Sequence, residues 1–424
     1  MRYRMEGASV LTLGSNAKVF DPGQVTWEDG TLVSVGAEDS DPSPVDQVIR
    51  VSDAYLLPGL LNGHNHAAMA LMRGLADDSG LFEWLEGHIF PIEAKLTADD
   101  VYTGTLLACA EMIRSGTVGF ADMYFHVDAV ARAVDHSGLR AWIARGITGD
   151  LDSGRESLAD GVAFAERWRD NPRITPMLGP HAPYTVSEDL LQATAAAAKS
   201  HQLGIHIHLA ESRAEMDQLA KQSSTPFSIA RRAGLFENRT LIAHGTQISV
   251  RDLPEIEGLV GGIIACPVSN AKLGNGILPY PLLKDANIAV GLGTDGPAST
   301  NSLDMFLEMK AMAWFQKVLA GEPQIFRAEE ALNLATAGTA RVLGHPGGEL
   351  RPGLPADFIV VQKQVPHMVP DHDEVANLVY AASGQDVRYT VVDGRIIMAE
   401  GIITAFDDRE VIREALERAH HLTE

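Results

Sequence analysis

Residues 55 to 66 read YLLPGLLNGHNH, an apolar run that ends in two histidines with one asparagine between them. On an extended chain successive side chains alternate faces, so His64 and His66 point one way and Asn65 the other. Two ring nitrogens aimed at one point suit a metal ion, yet a zinc site that acts on substrates takes three protein ligands and a water. Paired histidines at a strand end also occur as ordinary surface or core residues. The rest of the chain therefore has to supply the partners.

Seven more apolar runs follow the first: TVGFADMY, LRAWIARGI, ITPMLGPHAP, GIHIHLAES, TLIAHGTQ, GGIIACPVSN and IAVGLGTDGP. Stretches at helical spacing separate them, among them TADDVYTGTLLACAEMIRSG, which opens on a Thr-Asp start signal, and SEDLLQATAAAAKSHQ, which opens on a serine cap. Alternation of this kind is the signature of a parallel sheet covered by helices. Eight strand and helix pairs between residues 56 and 297 match the roughly 250 residues of a closed (β/α)8 barrel. Residues 1–55 carry short strand-like pieces, ASVLTLG, GQVTWEDG and TLVSVG, and residues 349–405 return to that style in ADFIVVQ, RYTVVDG and RIIMAEG. Neither end could bury much surface alone. The expected α/β architecture is thus a TIM-like barrel over residues 56–348 with a small β-sandwich domain formed by both termini, 1–55 and 349–424, the latter including a terminal helix.

The 424 residues are 46% hydrophobic and 21% charged, with a formal charge of -22. That negative balance argues against nucleic acid as a partner, because there is no positive field to exchange for counterions. Two cysteines, Cys109 and Cys266, make a disulfide framework implausible. The start, MRYRMEGASVLTLGSN, has no sustained apolar core, and no run approaches the ~20 residues that cross a bilayer. A cytoplasmic protein without membrane partners is expected.

Barrel enzymes draw their working residues from the C-terminal ends of the strands. Here those ends supply His64 and His66, His181, His208 with Glu211 just beyond, His244, and Asp295. Such a set would repel or go unsatisfied unless something organised it, and a divalent cation does so by accepting nitrogen and carboxylate donors together. His206 shares the face of His208, but lies further from the strand end and reads as a supporting residue. Asp295 could instead cap the following turn; its place at the end of strand eight favours a functional role.

These residues sit in motifs, PGLLNGHNHAAMALMRG, GPHAPY, HIHLAES, IAHG, SNAKLGNG and GLGTDGPASTNSLDMFLEM, through which the chain resembles the amidohydrolase superfamily and, within it, the methylthioadenosine and S-adenosylhomocysteine deaminases. The resemblance implies a single divalent ion, zinc first with iron or manganese as alternatives, held by His64, His66, His208 and Asp295. It implies Glu211 as the proton shuttle and His244 hydrogen-bonded to the attacking water, with Asp295 and His244 accepting the water's proton. Binuclear members carry a bridging modified lysine at the end of strand four, whereas this strand ends GPHAPY. For the substrate, the resemblance implies Glu93 on the ribose hydroxyls, His181 on the purine, and Arg145 and Arg155 on an amino-acid carboxylate. Phe82 and Trp84, at helical spacing, could wall the adenine or simply pack in the core, and the DLDSGRES stretch reads as a lid. The implied activity is metal-dependent hydrolytic deamination of the adenine ring in 5′-substituted adenosines, small-molecule substrates, by an enzyme that forms a homodimer or homotetramer. Deamination or dehalogenation of another nitrogen heterocycle, such as guanine or a triazine, and a non-catalytic scaffold are the competing readings.

Overall fold

The structure, a computed structural model, describes residues 1–76, 78–221 and 224–423. Its two sheets part company inside the opening stretch. Ala54–Pro58 is a strand of a nine-stranded sheet made from both termini, and Leu60–Asn65 (β1) begins a separate eight-stranded sheet. The single strand read from YLLPGLLNGHNH is therefore two, divided at Gly59. A Cβ there would stand 2.1 Å from Val118 Cγ1, so only glycine lets the chain cross from one sheet to the other at this point.

The eight-stranded sheet continues with β2 (Thr117–Tyr124), β3 (Arg140–Ile147), β4 (Ile174–Pro180), β5 (Gly204–Leu209), β6 (Thr240–His244), β7 (Gly261–Ala265) and β8 (Val290–Leu292). Each strand pairs in parallel with the next. Every residue of β2 is buried, as expected where helices cover the outer face. The covering helices start where the sequence signals them: Thr97 and Asp100 form a capping box for Ala98–Arg114, and the Ser187 hydroxyl accepts from Leu190 N at the head of Glu188–His201. Beyond β8 the chain returns to β1. Asp295 N donates to the His64 carbonyl at 3.0 Å, and the Asn62 side chain bonds Thr294 through both its oxygen and its nitrogen. A Cβ on Gly293 would lie 2.6 Å from His64 N, so the closing approach depends on that glycine.

The terminal strands follow a single hydrogen-bonded path with Arg2–Leu11 at its branch. This sheet curls on its own core of Val10, Trp27, Leu56, Phe358 and Val391; Leu32 N donates to Leu354 O at 2.8 Å and Trp27 Nε1 to Gly394 O at 2.9 Å. The strands expected to form a small β domain from both termini thus belong to one sheet. A buried charge cluster at the base of the barrel ties the two sheets together. Arg140, which opens β3, bonds Asp357 through Nε at 2.7 Å and Asp393 through Nη2 at 2.8 Å, while His345 Nε2 lies 3.3 Å from Asp357. Cys109 and Cys266 are buried and unpaired. Among the described residues no helix is long and apolar enough to cross a membrane.

Candidate metal centre and active-site cavity

The C-terminal ends of β1, β5 and β8 bring His64, His66, His208 and Asp295 together. His64 Nε2 and His66 Nε2 each lie 3.4 Å from Asp295 Oδ1, and His66 Nε2 lies 3.3 Å from His208 Nε2. Local bonding fixes which ring nitrogens carry protons. His66 Nδ1 faces the Met123 carbonyl and His208 Nδ1 the His181 carbonyl, each at 2.7 Å. A carbonyl only accepts, so Nδ1 holds the proton on both rings and both Nε2 lone pairs are bare. Two bare lone pairs at 3.3 Å beside a carboxylate oxygen repel unless a cation lies among them. His64 Nε2 is buried without a hydrogen-bond partner, its Nδ1 being 2.7 Å from His206 Nε2. Burial first, then neighbouring imidazoles, keeps His208 well below the usual histidine range, and so neutral. The donor set therefore fits one divalent ion.

Asp295 is held ready to serve. Burial would raise its carboxyl, but the adjacent His64 ring and the other nearby histidines outweigh that and hold it well below the usual range. Ser269 and Ser299 hydroxyls donate to Oδ2 at 2.6 and 3.0 Å, and Gly296 N donates to Oδ1 at 2.7 Å. Asp295 and His244 both sit at positive φ, 65° and 73°, a left-handed backbone uncommon for residues other than glycine and found at functional sites.

His244 ends β6. The Asn270 amide donates to its Nδ1 at 3.0 Å, and burial pushes its pKa down to about 3. The neutral ring thus carries its proton on Nε2, 3.7 Å from Glu211 Oε2. Burial, with Asp295 and Glu215 nearby, drives the Glu211 carboxyl well above its usual range, while the Asn275 amide donates to Oε1 at 3.0 Å. Ser269, Asn270, Ser299 and Asn275 were not singled out from the sequence. The run ending in β7 carries no histidine or carboxylate at its end; Ser269, Asn270 and Asn275 lie in SNAKLGNG, one of the motifs that carry the resemblance.

A cavity of about 710 Å³ opens over this centre. Glu93, Arg145 and His181 line it, as does Trp84. Phe82 instead packs edge-on against Tyr184 at 5.3 Å. Burial pushes Glu93 up to about 7, against the pull of the neighbouring Tyr124 hydroxyl and His66. His181 Nδ1 lies 2.8 Å from Thr185 Oγ1. Arg145 Nε donates to Asp160 at 2.8 Å. Arg155 is not brought to the cavity: its side chain is 71% exposed and lies 3.9 Å from Asp152. It opens the helix Arg155–Trp168, just after a turn in which Asp150 accepts from the amides of Asp152 and Ser153.

Comparison with known proteins fits this geometry. The amidohydrolase family model matches residues 55–397. A 5-methylthioadenosine/S-adenosylhomocysteine deaminase of Pelotomaculum thermopropionicum is 40% identical over 424 residues, 99% of this chain and 98% of that protein. A 5′-deoxyadenosine deaminase of Methanosarcina mazei is 40% identical over 423 residues, 99% and 98% of the two chains. The crystal structure of an adenosine deaminase from Xanthomonas campestris with bound zinc superposes with a TM-score of 0.95 at 30% identity, covering 99% of this chain and 98% of that one.

Proposed function

Because the chain belongs to the amidohydrolase family, we propose that it hydrolyses the exocyclic amine of adenine in 5′-substituted adenosines, replacing it with an oxo group and releasing ammonia. One observation carries the reading: a raised, buried Glu211 and a neutral His244 stand 3.7 Å apart beside converging nitrogen and carboxylate donors, under a nucleoside-sized cavity. Relatives at 40% identity are named for adenine nucleosides bearing different 5′ groups.

His64, His66, His208 and Asp295 would hold one divalent ion, with zinc best suited to three imidazoles and a carboxylate. Bound there, it would acidify a water and stabilise developing negative charge. The side chains supply the rest. Asp295, ionised, accepts the proton of the attacking water. His244 acts as a donor, because its Nδ1 faces the Asn270 amide; its Nε2–H orients the water oxygen. Glu211, its carboxyl raised by burial, donates a proton to the ring nitrogen next to the attacked carbon, then relays the remaining proton of the attacking oxygen to the departing amine and is reprotonated by the proton that Asp295 took up. Asn275 fixes the carboxyl for both transfers. Glu93 accepts from the ribose hydroxyls and His181 meets the purine.

The test is a substrate panel. Absorbance change and ammonia release should follow addition of S-adenosylhomocysteine, 5′-methylthioadenosine, 5′-deoxyadenosine or adenosine to the metal-loaded protein. Turnover of guanine with none of the adenosines touched would overturn the proposal.

A further inference from the structure

At the outer end of the cavity, Arg145 and Asp160 form an ion pair that uses only part of each group. Arg145 Nε donates to Asp160 Oδ2 at 2.8 Å, and Nη1 donates to the Gly146 carbonyl. No hydrogen bond among the described residues engages Arg145 Nη2. Asp160 Oδ1 has no hydrogen bond among them either; Arg167 Nη2 is 3.8 Å from it, too far for a hydrogen bond. Arg167 is itself held by Asp128 through Nε at 3.0 Å and Nη2 at 2.5 Å. A guanidinium donor and a carboxylate acceptor, both lining the cavity, are thus left side by side with unused valence.

The resemblance implied two arginines, Arg145 and Arg155, for an amino-acid carboxylate, and the structure bears on that picture in two respects. Arg155 lies outside the cavity, and Arg145 is already neutralised by Asp160. A lone carboxylate would meet one donor next to a repelling oxygen. An α-amino acid fits better, because it presents a carboxylate and an ammonium on one carbon and carries no net charge. Resting on the deaminase reading above, we propose that Asp160, paired with Arg145, is a specificity determinant: its free oxygen receives the α-ammonium of a homocysteinyl substituent while Arg145 Nη2 receives the carboxylate. The pair is monodentate, so both contacts form without breaking it. An ammonium bound to a carboxylate is a charge-assisted bond, worth about tenfold or more in affinity. Asp160 is 40% exposed, which sets the expectation at the lower end of that range.

Three nucleosides separate the roles: S-adenosylhomocysteine, its analogue with a 3-carboxypropylthio group that lacks only the amine, and 5′-methylthioadenosine. With the native protein, kcat/KM for S-adenosylhomocysteine should exceed that for the amine-free analogue by about tenfold. In Asp160→Asn that advantage should vanish, while 5′-methylthioadenosine changes by less than about threefold. Equal gains for both carboxylate substrates would mean that Asp160 merely masks Arg145, and equal losses that it merely holds Arg145 in place; either result overturns the ammonium contact. If the variant does not fold, the native comparison still decides, since an amine-free analogue as good as S-adenosylhomocysteine sinks the proposal. Should no adenosine be turned over at all, the deamination reading falls by itself, and calorimetric binding of the same three nucleosides scores the subsite.

Discussion

Compared with the mouth of the barrel, its base buries a charge cluster of similar size: Arg140, His345, Asp357 and Asp393 against His64, His66, His208 and Asp295. At the base each donor meets an acceptor. Arg140 divides its guanidinium between two aspartates, and Asp393 N adds a bond to Asp357 at 2.6 Å. Burial would raise Asp357, yet its bonds and charges with His345 and Arg140 hold it below the usual carboxylate range. At the mouth, by contrast, two bare imidazole nitrogens face each other and a third is buried without a partner. Opposite satisfaction separates a cluster that stabilises from a cluster that binds: the first is complete within the protein, and the second is complete only with a cation.

The sharpest way to break this contrast is at Glu211. Glu211→Gln should lower kcat about a thousandfold while leaving the metal content measured by atomic emission unchanged; loss of metal would move Glu211 into the ligand set. The base responds differently. Arg140→Met should lower the unfolding free energy measured in urea by about 3 kcal/mol, because it leaves Asp357 buried with only His345 and the Asp393 amide to answer its charge, and should not move KM. Chelation should act only at the mouth. Removing the ion should cost about 2.7 kcal/mol relative to protein kept at a hundredfold excess over its dissociation constant, and the same amount in Arg140→Met, since distant sites add. The smallest effect concerns pH. Glu93, raised to about 7, gains its charge as pH rises through neutrality, and a carboxylate accepts from ribose hydroxyls better than a carboxylic acid. KM should therefore fall, by no more than about tenfold, from pH 6 to pH 8, and Glu93→Gln should flatten the profile.

The sequence makes the barrel and its centre legible because both depend on local rules. Alternation turns His64 and His66 to one side, apolar runs at regular spacing mark the strands, and Thr97 and Ser187 announce their helices. What it hides depends on long-range packing. Nothing in YLLPGLLNGHNH distinguishes a strand that crosses between sheets from one that stays in the barrel; that choice is made by Val118 pressing on Gly59. The hydroxyls and amides that orient Asp295, His244 and Glu211 come from segments up to 64 residues away in sequence. Arg155 and Asp160 lie five residues apart and look equally available, but one opens the helix toward solvent and the other faces the cavity. Whether a charge reaches a site is settled by the turn before it, and residue type does not report that.

The bond from Asp295 N to the His64 carbonyl has a dynamic consequence. It joins β8 to β1 at the place where the sheet meets itself, and the side chains of the same two residues converge on the same centre. A bound ion would then clamp both edges of that seam, so that local opening there and release of the ion become one event. Amide hydrogen exchange at Asp295 and Thr294 should slow on metal loading far more than exchange along β3 and β4 on the opposite wall, making the seam a reporter of occupancy that needs no substrate.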